Sequence, residues 1–138
     1  MEKVDFLNYR ALVLEVRQLK AYVETLDRAL SSIPSPQYSF APKAPHSGGS
    51  SALESRVARY LEMKDLYEAQ LAKSEAQVLA VEQAIQSLEV PAERLVMRLR
   101  YIEGRSWVSV CMELQALGYS ERQVYYVHGF ALKKLKEK

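Results

Sequence analysis

One cysteine in 138 residues, Cys111, leaves no internal disulfide to form, and no CxxC pair or Cys/His set accompanies it that could hold a metal. The expectation is a small thiol packed as a hydrophobe in a reducing compartment, with no metal and no cofactor. Long apolar runs are missing as well, since no window reaches the roughly 18 uncharged apolar residues of a membrane helix. The first ten residues, MEKVDFLNYR, carry charge at Glu2, Lys3 and Asp5 where a signal peptide would be apolar, so a cytoplasmic location without membrane contact is expected. Histidine occurs twice, His46 among prolines and without a partner, and His128 beside an apolar helix face where it reads as a packing residue. Lacking a Ser/His/Asp pattern, a phosphate loop or carboxylates in a recognisable pair, the chain does not read as an enzyme.

Proline and glycine are sparse, five of each, and unevenly placed. The stretch SSIPSPQYSFAPKAPHSGGSS, residues 31–51, takes Pro34, Pro36, Pro42, Pro45, Gly48 and Gly49, and reads as a linker extended around its prolines and flexible at Ser47 to Ser51. Tyr38 and Phe40 are its candidate pins to a neighbour. What is plentiful is apolar residue at helical spacing. Before the linker, Leu12, Val16, Leu19, Val23, Leu26, Leu30 and Ile33 alternate steps of four and three, the signature of a coiled-coil seam. After it, Leu53, Val57, Tyr60, Lys64, Tyr67, Leu71, Ser74, Val78, Val81, Ile85 and Leu88 keep that alternation, with Lys64 and Ser74 as the interruptions.

Two helices of roughly 40 and 55 Å follow from this, the first from about Val4 to Leu30. Packed together they form a long two-helix coiled-coil hairpin over residues 1–90, although a linker able to span well over 60 Å leaves their relative direction open. Their seams make a thin core, which favours pairing with a second copy into a homodimer or higher oligomer; the alternative is an intramolecular hairpin sealed by the C-terminal part. Pro91 ends the second helix and suits the first turn of a new one.

Residues 91–138 differ in charge. They hold nine Lys/Arg against five Asp/Glu, whereas the first 90 residues hold 10 against 12 of the overall 19 and 17, so a net +4 follows a net −2 and hints at an anionic partner. Three short helices are expected here. PAERLVMRLRYIEG has Leu95, Val96, Leu99 and Ile102 at helical spacing and stops at Gly104. RSWVSVCMELQALG starts at the N-cap Ser106, buries Trp107, Val110, Cys111, Leu114 and Leu117, and stops at Gly118. The third begins at Ser120, with Gln123 completing a capping box.

Helix, glycine-containing turn and strongly capped helix is the outline of a DNA-binding helix-turn-helix. On the last helix Val124, Val127, Ala131 and Leu135 share one face, while Arg122, Tyr126, Gly129 and Lys133 share the opposite one, flanked by Tyr125 and Lys136. Long donors near the start of such a helix reach base edges, and cations farther along reach phosphates. Candidate base-contacting residues are therefore Glu121, Arg122, Tyr125 and Tyr126, and candidate phosphate contacts are Arg105, Ser106, Ser120, Lys133, Lys134 and Lys136. Gly129 lets another surface approach closely, at a helix cost of roughly 1 kcal/mol against alanine. The competing reading has the tyrosines packed on the long helices and Arg122 merely solvated.

ERLVMRLRYIEGRSWVSVCMEL followed by YSERQVYYVHGFALKKL resembles the region 4 helix-turn-helix of sigma factors, above all its version in phage-encoded transcriptional activators of the RinA and ArpU type. The resemblance rests on Leu99-Arg100-Tyr101 with Gly104, Ser106-Trp107, Val110-Cys111, Ser120, Val124, Val127, Ala131-Leu132 and Leu135, and covers about a third of the chain. The chain departs from it by about three extra residues between Cys111 and Ser120, read as one more turn on the first helix of the motif. It departs again in carrying Glu121, Arg122, Tyr125 and Tyr126 where sigma factors place basic and amide side chains. The resemblance implies an all-α regulator binding double-stranded DNA in a bacterial cytoplasm, an activator of late or packaging genes of phages or mobile elements; RNA polymerase is a separate candidate partner, the one a protein-binding adaptor would meet. Two other classes stay open: a small terminase-like DNA-packaging subunit, which forms larger rings, and a helical adaptor that binds protein.

Overall fold

In a computed structural model of the chain, residues 1–33 and 47–137 are described, with side chains from residue 52 onward in the second stretch. These residues are helical, with no strand among them. The elements are α1 (Lys3–Leu7), α2 (Tyr9–Ser32), α3 (Ser47–Gln86), α4 (Pro91–Met97) running into a wide π-type turn (Arg98–Ile102), α5 (Trp107–Gln115) and α6 (Glu121–Glu137). The all-α expectation holds. The proline-bearing part of the expected linker, with Tyr38, Phe40 and His46, lies outside the described residues. Residues 47–51, expected in that linker, belong instead to α3.

The described residues divide into two compact units, residues 15–73 and residues 1–14 with 74–138. Within residues 15–73 most seam positions are covered, Leu53 being the exposed exception. Leu19 is buried, and Val16, Val23, Leu26, Leu30, Val57, Tyr60, Tyr67 and Leu71 are half-buried. Three contacts fix direction: Gln70 donates to Glu15 at 3.2 Å, the Tyr22 and Tyr67 rings lie 5.4 Å apart, and Lys64 meets Asp27 at 2.6 Å. Numbers rise along α2 as they fall along α3, so the helices run antiparallel. Lys64 interrupts the apolar seam without leaving a charge alone, because Asp27 and Glu68 receive its ammonium.

The other unit draws on both ends of the sequence. Phe6, Tyr9, Val81, Ile85, Leu88, Met97, Tyr101, Ala131 and Leu135 form one buried cluster, so residues before and after Pro91 share a core. Pro91 lies in the first turn of α4, and the two compact units divide the chain between Leu14 and Glu15 and between Lys73 and Ser74. Arg94 closes the connection by donating to the Leu88 and Glu89 carbonyls at 2.6 and 3.1 Å. Tyr9 donates its hydroxyl to Glu82 at 2.5 Å, and burial first, then Glu82, pushes its pKa up to about 12, which keeps the phenol a donor.

A second cluster, Val96, Leu99, Val110, Cys111, Leu114 and Val124, joins α4, α5 and α6. Cys111 is buried in it, and desolvation raises its thiol pKa, with the Glu121 charge adding to the effect. Two faces of the α4 segment are therefore covered, Val96 and Leu99 toward this cluster, Met97 and Tyr101 toward the first. The wide turn accommodates this: Glu103 N–H bonds the Arg98 carbonyl at 2.9 Å and Arg105 N–H the Leu99 carbonyl at 3.0 Å, with Gly104 at φ +69° closing it. The helix expected to run to Gly118 ends at Gln115. Tyr119 N–H bonds Leu114 O and Gly118 N–H bonds Gln115 O, both at 3.0 Å, a Schellman closure with Gly118 at φ +93°. Gly118 and Tyr119 thus close the cap, and Leu117, expected in the core, is 64% exposed while Tyr119 packs against the second cluster.

Candidate nucleic-acid interface

The face that α6 turns outward begins with its cap. Ser120 Oγ accepts from Gln123 N–H at 3.2 Å and Gln123 Oε1 accepts from Ser120 N–H at 2.8 Å, so both halves of the capping box form. From that start Val124, His128, Ala131 and Leu135 fall inward and are buried, with Val127 half-buried. Glu121, Arg122, Tyr125, Tyr126, Gly129 and Lys133 are exposed. Arg122 Nε donates to Tyr126 Oη at 3.1 Å and its guanidinium stands 5.5 Å from the Tyr126 ring centroid, a cation–π pair one helical turn long. Tyr125 leans the other way, its ring 5.1 Å from Trp107, which in turn carries Arg100 at 4.9 Å over its face.

Phe130 escaped the sequence reading. It lies one turn beyond Tyr126 and two beyond Arg122, is 58% exposed and belongs to neither core cluster. The i, i+4, i+8 spacing was its available signal, masked because an aromatic residue on an amphipathic helix is first assigned to the core.

The candidate phosphate contacts separate into two groups. Lys133 is exposed and forms no ion pair among the described residues; Lys136 meets Glu2 only at 4.0 Å. By contrast, Arg105 holds Glu113 at 2.8 Å and Glu103 at 3.4 Å, and the Glu113 hydrogen bond leads the effects that raise its pKa. Such exposed pairs are weakened by solvent screening, so a phosphate would compete for Arg105 at little expense. Lys134 is bound more firmly. Its ammonium lies 2.7 Å from Glu93 Oε1, and Glu93 is buried with Oε2 unpartnered, so moving Lys134 away strands a carboxylate inside the unit. Ser106 and Ser120 use their hydroxyl oxygens as helix caps, Ser106 accepting from Ser109 N–H at 3.2 Å.

Gly129 sits in the middle of the outward face with nothing within 4 Å of where a Cβ would be. Gly129→Ala is expected to stabilise α6 by about 1 kcal/mol, read as a raised thermal midpoint. An unchanged or lowered midpoint would show that the site is not open as described. No helix of the described residues is long and apolar enough to cross a membrane. Comparison of the chain with known protein families, with curated proteins and with solved structures returns no match.

Proposed function

We propose that the chain is a sequence-specific DNA-binding transcription regulator of the phage-activator kind its C-terminal sequence resembles. In this reading α5 and α6 are the helix-turn-helix and α6 enters the major groove. The antiparallel helices of residues 15–73 form the hairpin that pairs two copies. The observation that carries it is the division of α6: its seat takes Val124, His128, Ala131 and Leu135, which leaves Arg122, Tyr125, Tyr126 and Lys133 outward. Arg122 suits a guanine edge, Glu121 a cytosine amino group, and Lys133 and Lys136 the phosphates. Pairing is supported by the thin seam of residues 15–73 and by Tyr22, Leu61, Met63 and Leu66, which are exposed.

Selection of bound sequences from a random duplex pool, followed by footprinting and measurement of the mass of the complex, tests this reading. A dimer on two symmetric half-sites about 34 Å apart, or a multiple of that, is the expected result. Arg122→Ala should weaken the selected site by about tenfold or more, and Lys133→Ala should weaken all duplexes and lower the salt slope by about one. Should Arg122→Ala leave affinity intact while Lys133→Ala weakens it, the groove face is misassigned. A ring of eight or more subunits favours the packaging reading instead. The adaptor reading draws on Val108, Met112 and Leu117, which are exposed on and just after α5. Absence of salt-dependent DNA binding between about 50 and 200 mM salt would favour it.

A further inference from the structure

We infer that α6 reads thymine, and that Phe130, with Tyr126, is the side chain that does so by packing on the C5-methyl group in the major groove. The inference rests on the DNA-binding reading above and names the base class of its site. Arg122, Tyr126 and Phe130 form one row along the exposed side of α6, and Lys133 stands a turn beyond it. Phe130 has no hydrogen-bonding atom, so no donor or acceptor on a base edge satisfies it. The major-groove floor offers one apolar group, the thymine methyl.

Three further features fit this occupant. Gly129 leaves the backbone beside Phe130 bare, with nothing within 4 Å of its missing Cβ, so the helix can approach the groove closely enough for the ring to reach its floor. Tyr126 already accepts a hydrogen bond from Arg122 on its hydroxyl, and its ring face lies beside the guanidinium, so it contributes mainly apolar surface. Cations occupy both ends of the row, Arg122 suited to a guanine edge and Lys133 to a phosphate, which matches a thymine methyl set among polar base edges and phosphates and not an apolar protein groove.

The test replaces thymine by uracil, which removes the methyl group and nothing else, one position at a time in the selected duplex. The full chain is then titrated by fluorescence anisotropy. At one or two positions in each half-site uracil should weaken binding about fourfold, the fold-change of one buried methyl-sized group. Phe130→Ala, checked for unchanged helix content by circular dichroism, should bind more weakly and lose the thymine–uracil difference at one of those positions. Phe130→Leu should keep part of it. Binding with equal affinity for thymine and uracil at every position overturns the inference and leaves the regulator reading standing. So does a Phe130→Ala protein that discriminates like the unaltered chain. Failure to bind any duplex removes the DNA-binding reading, and this inference with it.

Discussion

Phe6→Ala lowers the unfolding free energy by about 3–5 kcal/mol and carries the C-terminal helices with it. Phe6 is 1% exposed, packs 5.7 Å from the Tyr101 ring, and shares its cluster with Ile85, Leu88, Met97, Ala131 and Leu135. Truncating it opens a cavity where residues from both sides of Pro91 meet, and a domain's whole margin is about 5–15 kcal/mol. The single tryptophan makes the test direct. Trp107 packs against the cluster of Val96, Leu99 and Leu114, far from Phe6 in sequence, so its fluorescence in urea reports on α4 to α6. In Phe6→Ala both that signal and circular dichroism should shift to lower urea. A Trp107 transition that moves by less than about 1 kcal/mol would falsify the shared core. By the same reasoning residues 91–138 expressed alone should stay unfolded, since they would lack Phe6, Tyr9, Val81, Ile85 and Leu88.

That shared core was the part of the fold the sequence concealed, and the reason is specific. In the first fourteen residues two stripes have helical spacing: Val4, Leu7, Ala11 and Leu14, and Phe6, Tyr9 and Val13. The first is exposed and the second is buried or half-buried, and what decides between them is Tyr101, Ala131 and Leu135, about a hundred residues away. Periodicity reveals that a helix has an apolar side but not which of two sides meets a partner. The same ambiguity hides Met97 and Tyr101, because a regular helix wheel presents one face and the wide turn supplies two. On α6 the apolar stripe of Val124, Ala131 and Leu135 expected from spacing is buried, while Phe130 on the opposite side is exposed, and most of the α2 and α3 seam was legible from its alternation. Charges were less legible. Nothing in the spacing of Arg105 or Lys134 announces that Glu113 and Glu93 will engage them, since those contacts depend on how α4, α5 and α6 pack.

The division of α6 into seat and outward face also limits what a variant of the interface can mean. Val124 and Ala131 are 0% exposed, so changing either alters where the helix lies and would disturb the proposed DNA contacts only through that displacement. Arg122, Phe130 and Lys133 are exposed, so changing them tests the ligand. Surface substitutions of this kind shift stability within about 0.5 kcal/mol, which keeps a lost affinity interpretable.

Acid should loosen the seat of α6 before it titrates most carboxylates, through His128. This residue is buried, with Tyr101 Oη 2.7 Å from its Nε2, the Tyr101 ring stacked at 5.7 Å and Trp107 edge-on at 4.6 Å. Burial raises the Tyr101 pKa, so its phenol stays protonated and donates to His128 Nε2 in the tautomer that carries its proton on Nδ1. Burial first, then the positive charges of Lys3 and Arg100, lower the His128 pKa to about 4 from 6.5. Between those values the unfolded chain binds a proton that the folded one refuses, so stability is full above about pH 6.5 and falls as pH drops toward 4, by on the order of 3 kcal/mol at most. Urea unfolding at pH 7 and pH 5 isolates this group, because ordinary carboxylates are still largely ionised at pH 5. The unaltered chain should lose about 2 kcal/mol over that interval, and His128→Gln, which keeps an amide within reach of Tyr101 but does not titrate, should lose much less. Equal losses in the two proteins would place the acid sensitivity outside His128.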